Sequence, residues 1–498
     1  MRSAFPLLAT FTIALNLVCH ADASRFAQQA KVDQMLQEVI DRNLTAGLSC
    51  AIVQDGKVIY TKGFGVKNVA TQDPVDPDTL FMIASCTKAF SCFSLMQLVD
   101  DGKISLEDKV IQHLPQFKLQ DPLITTRINL TDLMAHRSGL PRHDSVWFNT
   151  TFPRAEFLNR LPYLPLSDPI RTKFLYNNLL YATLALVIEK VSNQTWEAFT
   201  QERIFNPLGM SRSSFTIKEM QASGNYAFPH VENNNQLQTV AFRDVSNVGA
   251  AGSINSTARD LAQWVLMQLG NGKYNGVTLL SEENLAITRT AHMPYFKTID
   301  EEGSSYGYGL GWTTGFLDGS LILTHDGNLE GFGANITLIP EKKIGIAVLN
   351  NSSSHLSLSS TISFALLQVL QESDAGDWLD RMLQAEADQL KNKEQNARLG
   401  ESQPETLYFP LLNYTGTYFH PGYGELSIEL IDGALQVVFN ALRYRLTPIC
   451  YNQFKMDYLG NLPFEFDAVF QTGQECQING VEINFEPLVD PIPFIKIQ

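Results

Sequence analysis

Strand signals stand at both ends of the first 350 residues, and helical signals fill the space between them. Residues 49–54 and 57–65 are apolar-rich runs divided by Asp55-Gly56, a dipeptide that favours a tight hairpin. From about residue 80 to 270 the pattern turns mainly helical, most clearly over 84–100, 176–192 and 258–270. Gly102 and Gly270 stand where two of these helices should stop. Strands return over 321–324, 333–339 and 343–350, and a helix follows over 357–371. A chain patterned this way builds one sheet from two distant segments and sets the intervening helices beside it as a lobe. The expected class is α/β, an antiparallel sheet flanked by helices.

After Pro404 the texture changes to short alternating runs at 414–418, 425–431, 434–439, 443–448, 469–472 and 481–485, with turns at Asp432-Gly433 and Asn479-Gly480. This predicts a small all-β unit of the barrel kind. Between the two lies a charged amphipathic helix over 378–399, with Trp378, Leu379, Met382, Leu383 and Leu390 on its apolar side. The expected division is a leader over 1–23, the α/β domain over 24–375, a helical linker over 376–403 and the β-domain over 404–498.

The leader is expected from Arg2, an apolar stretch over 4–18 and the A-x-A pattern at Ala21-Asp22-Ala23. These are the parts of a secretory signal cleaved after Ala23, which implies a secreted or periplasmic protein with no transmembrane anchor once it is cut. Loss of Cys19 leaves Cys50, Cys86, Cys92, Cys450 and Cys476, an odd number that requires at least one free thiol. Cys450 and Cys476 either pair or stay independent, and spacing leaves both open. The chain carries 37 basic and 52 acidic side chains, a net charge of −15, which argues against a nucleic-acid partner. Residues 404–498 hold only four of the basic groups and eleven of the acidic ones, so much of this charge belongs to the β-domain. None of the nine histidines forms an H-E-x-x-H or H-x-x-x-H pair, and there is no C-x-x-C, so no structural or catalytic zinc site is expected, and no motif calls for another cofactor.

Ser85-Cys86-Thr87-Lys88 is an S-x-x-K at a helix start. Its spacing puts Ser85 and Lys88 one turn apart on one face, with Ser85 at the positive helix end. A neutral Lys88 would take the Ser85 proton and make the hydroxyl a nucleophile. Tyr176-Asn177-Asn178 lies ahead of a helical run, and His325-Asp326-Gly327 follows the strand signal at 321–324. Each has a plain structural alternative: a core aromatic, a helix cap, an edge-strand side chain. Gly303-Ser304-Ser305-Tyr306-Gly307 matches G-x-S-x-G but lacks the strand before it and the helix after it that a nucleophile elbow needs. Cys86 reads as a small buried residue, and Asp260 as a helix-start residue rather than a catalytic acid.

In this order the motifs resemble those of the serine β-lactamase and penicillin-binding protein superfamily, in its class C β-lactamase-like branch of D-aminopeptidases, carboxypeptidases and esterases. LTDLMAHRSGLP at 130–141, IFNPLGM at 204–210, GAAGSINSTARDL at 249–261, and the stretches 308–312 and 331–350 look like further landmarks of that family. The likeness covers about residues 30–372. The β-domain is similar to the lipocalin-like module some members append, through Asn413-Tyr414-Thr415-Gly416-Thr417-Tyr418 and Tyr423-Gly424.

The resemblance implies a β-lactamase/transpeptidase-like fold and an exported serine hydrolase acting on peptides, D-residue peptides among them, or on small esters. Ser85 would be acylated, with Lys88 and Tyr176 as its acid/base partners. Asn178 would orient Lys88 and the substrate, and His325 would border the substrate. Gly327 would leave room for the substrate backbone, and the N–H groups of Ser85 and Asn328 would form the oxyanion hole. Unperturbed Lys and Tyr titrate near 10, and which of the two acts as base stays open. His325 stands where class C β-lactamases carry a lysine, which implies weak β-lactam turnover. The alternative is a β-lactam- or peptidoglycan-binding pseudoenzyme that acylates without efficient turnover. Loops 141–169 and 226–241 would shape the pocket, and the β-domain would cover its mouth or mediate oligomerisation.

Overall fold

The computed structural model describes residues 28–295, 306–317, 319–398, 407–460 and 464–498, without the side chains of 392–398. The expected leader, Cys19, Gly303–Ser305 of the G-x-S-x-G match and the linker–barrel boundary at 404 lie outside the described residues.

Eight strands form the main sheet: β1 (Gly47–Gln54), β2 (Lys57–Gly65), β3 (Met293–Pro294), β4 (Gly307–Tyr308), β5 (Thr313–Leu317), β6 (Ser320–Leu329), β7 (Phe332–Ile339) and β8 (Ile344–Asn350). Their order is β2-β1-β8-β7-β6-β5-β4-β3, and every neighbouring pair is antiparallel. The N-terminal hairpin therefore closes onto the last strand, with Leu48 opposite Asn350.

Both faces of β1 and β8 are buried, and alternation divides their side chains between two cores. Leu48, Cys50, Ile52, Ile346 and Val348 face the outer helices, α1 (28–41), and Leu358–Leu370 and Trp378–Arg398 from the far end of the domain. Ala51, Val53, Ala347 and Leu349 face the helical lobe. That lobe is organised around α2 (Thr87–Asp100), whose residues 87–98 are all buried. Around it stand α3 (Asn178–Ser192) and α4 (Ala258–Leu269); the outer pair is α5 (Leu358–Leu370) and α6 (Trp378–Arg398). Trp378, Leu379 and Met382 lie on the buried side of α6, in the same core as the sheet residues Leu48 and Ile346. Leu390, expected on the same side, is exposed, because the helix has outrun the core that its first turns cover.

Several boundaries differ from expectation. His325-Asp326-Gly327 lies within β6, which keeps pairing with β7 as far as Leu329↔Phe332. Ser85 belongs to a 3-10 turn, Ala84–Cys86, tightened by Cys86 N–H donating to the Ile83 carbonyl. The cap of α3 is Asn177, whose side chain accepts from Leu180 N–H, and Asn178 is the first helical residue.

The C-terminal unit is a closed antiparallel barrel of eight strands: β9 (Gly416–His420), β10 (Gly424–Ile431), β11 (Ala434–Phe439), β12 (Leu442–Cys450), β13 (Gln453–Tyr458), β14 (Glu465–Thr472), β15 (Ile478–Ile483) and β16 (Ile492–Lys496). Strands β13 and β16 were not expected. Pairing of β9 with β16 closes the barrel and leaves no free edge. All five described cysteines are free thiols, Cys450 and Cys476 included.

The barrel docks on the loop after Pro141. His143 N–H donates to Glu486 Oε2 at 2.9 Å, and its Nε2 lies 2.8 Å from the Pro165 carbonyl. A carbonyl only accepts, so Nε2 carries the proton and Nδ1 accepts from Tyr423 O–H at 2.7 Å. Asn440, at the tip between β11 and β12, donates to the Ser145 carbonyl and accepts from the Asn149 amide through its own carbonyl.

Candidate active site

Ser85 is presented by the 3-10 turn that leads into α2. The residue before it, Ala84, has φ 44°, a left-handed conformation uncommon for a residue with a Cβ. One turn on, Lys88 is wholly buried and its Nζ meets three oxygens: Ala251 carbonyl at 2.8 Å, Asn178 Oδ1 at 2.9 Å and Ser85 Oγ at 3.2 Å. Ala251 belongs to the short helical turn Gly249–Gly252, which is fastened to α2 by Ser91 Oγ donating to the Ala250 carbonyl. Tyr176 O–H donates to Ser85 Oγ at 2.7 Å.

Burial holds Lys88 well below the usual ammonium range, and the Arg142 charge adds to that while Asp144 opposes it. Burial pushes the Tyr176 phenol up, against the Ser85 hydrogen bond and the Arg142 charge, so it stays protonated. The Tyr176 ring lies tilted against His136, 4.3 Å between centroids, and Asn177 N–H donates to His136 Nδ1 at 3.0 Å.

The sequence reading missed the residues behind Asn178. Asp144 Oδ1 accepts from Asn178 Nδ2 at 3.1 Å and from Trp147 Nε1 at 2.6 Å. Arg142 Nε donates to Asp144 Oδ2 at 2.6 Å, and its guanidinium lies 4.9 Å from the Tyr176 ring centroid. They sit on a loop and belong to no short motif, so only the fold reveals them.

Two expected substrate contacts are placed otherwise. The His325 ring is buried, with Nδ1 2.7 Å from the Asp326 carbonyl and Nε2 2.9 Å from Tyr308 O–H. Both ring nitrogens are engaged, and the residue is only 6% exposed. Burial, then the Lys88 charge, depresses its pKa to about 3, against its bond to the Asp326 carbonyl, so it is neutral. Gly327 leaves no free space: a Cβ there would collide with the Ile83 carbonyl oxygen. Its bare backbone lets β6 approach the turn that carries Ser85. Cys86 is buried, donates to the His325 carbonyl at 3.2 Å, and burial pushes its thiol up. Asp260 accepts from Arg212 N–H, Ser213 N–H and Ser213 O–H, and so ties a neighbouring loop to α4.

A cleft of about 850 Å³ opens over Ser85, Asn178 and Asn328. Loop 141–169 contributes Arg142, Asp144 and Trp147, and residues 226–241 contribute Val231 and Glu232. The barrel supplies a wall that includes Phe439, Phe466 and Phe485. Among the described residues no cluster of three or more His, Cys, Asp or Glu is arranged to hold a metal ion, and no helix is long and apolar enough to cross a membrane.

The Beta-lactamase family model matches residues 32–371. The protein belongs to the beta-lactamase family. Within it, the chain is of the β-lactamase-fold serine hydrolase kind, with a barrel appended. Residues 401–495 match a second family, Domain of unknown function (DUF3471). The chain is 28% identical over 434 residues to the unguisins hydrolase ungD of Aspergillus violaceofuscus, covering 80% of this chain and 76% of that protein. Among solved structures it is similar to the octameric penicillin-binding protein homologue from Pyrococcus abyssi, with TM-score 0.62 and 24% identity, covering 94% of this chain and 99% of that one. It also shares the beta-lactamase fold with EstCE1, a hydrolase with promiscuous acyltransferase activity, with TM-score 0.59 and 19% identity, covering 70% of this chain and 99% of that one.

Proposed function

We propose that this beta-lactamase family member hydrolyses amide or ester bonds, peptides with D-residues among them, through an acyl-enzyme on Ser85. One observation carries the reading: the three partners of Lys88 Nζ. The Ala251 carbonyl and Asn178 Oδ1 can only accept, so a neutral amine spends its two N–H groups on them. Its lone pair is left facing Ser85 Oγ, which is the arrangement of a general base.

The steps follow. Lys88 takes the Ser85 proton as Oγ adds to the substrate carbonyl carbon. The N–H groups of Ser85 and Asn328 hold the oxygen that becomes negative. Lys88, now an ammonium, returns the proton to the leaving nitrogen or oxygen through Tyr176 O–H, and the carbon–heteroatom bond breaks. Water then adds to the acyl-enzyme by the same proton route in reverse and releases the acid. Tyr176 stays protonated in the resting state, which leaves the role of base to Lys88.

The hydrolase name of the Aspergillus relative supports a hydrolytic reaction. Export through residues 1–23 is part of the proposal, as is self-association through the barrel; the octameric Pyrococcus homologue supports self-association as such. Labelling with a fluorophosphonate and a labelled penicillin tests the reading. Wild type should be labelled on Ser85 and Ser85→Ala should not. Equal labelling of the two would end the proposal.

A further inference from the structure

We infer that the open end of the barrel is the second half of the substrate site, holding a bulky apolar group carried by the amide or ester that Ser85 attacks. This rests on the acyl-enzyme reading above and goes beyond it by naming what the substrate must carry.

The cleft over Ser85 is continuous with the barrel end, where Phe439, Leu442, Tyr444, Phe464, Phe466 and Phe485 border it. These rings form an ordered wall. Phe439 stacks on Phe485 at 4.9 Å between centroids, and Phe466 meets Phe485 edge-on at the same distance. Phe464 reaches across to Phe148 of the catalytic domain at 5.2 Å, so the lining runs unbroken from one domain to the other. Deeper in the barrel, Tyr414, Phe454 and Phe470 pack on one another, and none of them borders the cleft. Those three deeper rings are buried, and the barrel end that borders the cleft faces Ser85.

Charge is arranged to match. Every charged side chain bordering the cleft comes from the catalytic domain. Arg142 is engaged by Asp144, and Glu330 by Arg243. The wall is also fixed in place. Asn440 and Ala441, between β11 and β12, have φ 50° and 59°, the two left-handed residues of a tight hairpin. Asn440 is hydrogen-bonded on both sides to the loop that carries Arg142 and Asp144. A preformed apolar pocket beside a nucleophile selects substrates by the apolar group that fills it.

The test compares kcat/KM in two series: p-nitrophenyl acetate against p-nitrophenyl 4-phenylbutyrate, and methyl acetate against phenethyl acetate. The first varies the acyl side and the second the leaving side. At least one series should favour the larger substrate by roughly 10–100-fold. Phe466→Ala should reduce that preference to within a few-fold of unity. A wild-type measurement guards against misfolding of the variant: phenethylboronic acid should inhibit at least about tenfold more tightly than methylboronic acid. Flat series and equal inhibition by the two boronic acids, with Ser85 still labelled by a fluorophosphonate, would overturn the barrel subsite and leave the acyl-enzyme reading intact. Absence of Ser85 labelling would overturn both.

Discussion

Asp144 fixes the orientation of Asn178: it accepts from the Asn178 amide nitrogen at 3.1 Å, and this turns the amide oxygen toward Lys88 at 2.9 Å. Without that acceptor only the Lys88 N–H is left to hold the amide oxygen in place. Asp144→Ala should lower kcat by about tenfold or more, since a misdirected donor group would compete for the Lys88 lone pair. Steady-state kinetics with a chromogenic ester checks it, and an unchanged kcat would show that Asn178 is held by other means.

Catalysis by a neutral Lys88 makes kcat/KM rise with pH through the Lys88 titration. The Arg142 charge depresses that titration and the Asp144 charge raises it. Arg142→Gln should therefore move the acidic limb to higher pH, and Asp144→Asn should move it to lower pH. The opposed directions separate an electrostatic effect from general damage to the site. Limbs that move together in a pH–rate profile would remove Lys88 as the base.

Gly327→Ala should cost both activity and stability. The added Cβ meets the Ile83 carbonyl oxygen, which is backbone and cannot rotate away. Strand β6 or the Ser85 turn must shift, and small misplacements of a nucleophile cost about 100-fold. Thermal melting together with fluorophosphonate labelling rates reports both effects. Normal labelling at wild-type rates would contradict the packing described here.

The interface with the barrel should weaken in acid. Burial lowers the His143 pKa to about 4, although its bond to the Pro165 carbonyl opposes this. An unfolded histidine titrates near 6.5, so the unfolded chain takes up this proton first. The stability contribution is full above about pH 6.5 and is lost as pH falls through 4, on the order of 3 kcal/mol at most. His143→Gln should flatten the fall of melting temperature between pH 7 and 4. Tyr423→Phe should lower stability at pH 7 by about 1–3 kcal/mol, because it strands the His143 Nδ1 acceptor.

β-Lactams should be poor substrates. The residue at 325 is a buried neutral histidine with both nitrogens engaged, so it offers no cation to a β-lactam carboxylate. Ampicillin and cephalothin should be turned over with kcat/KM below about 10⁴ M⁻¹s⁻¹. A higher value would mean that Arg142 or another group takes over that contact.

Much of this was legible in the chain because local rules and global fold agree there. Asp55-Gly56 marks a hairpin, the S-x-x-K spacing puts Ser85 and Lys88 on one face, and alternation in the last hundred residues marks strands. The failures have physical causes. Strand β6 was cut short at 324 because His325-Asp326-Gly327 lacks strand propensity, and pairing with β7 overrides that. Strand β13 reads Gln-Phe-Lys-Met-Asp-Tyr, an alternation without β-branched residues, which gives only a weak strand signal. Arg142, Asp144 and the aromatic barrel end were invisible because they reach Ser85 only through tertiary docking.

The pairing of β1 with β8 has a consequence in time. Leu48 finds its partner only when Asn350 exists. At roughly 5–20 residues per second, the hairpin is made on the order of 15–60 s before the strand that covers it. Through that interval the inner edge of β1, apolar on both faces, has no partner. The half-made chain is more prone to aggregation than the finished one, and its yield on expression should depend on whatever shields that edge during synthesis.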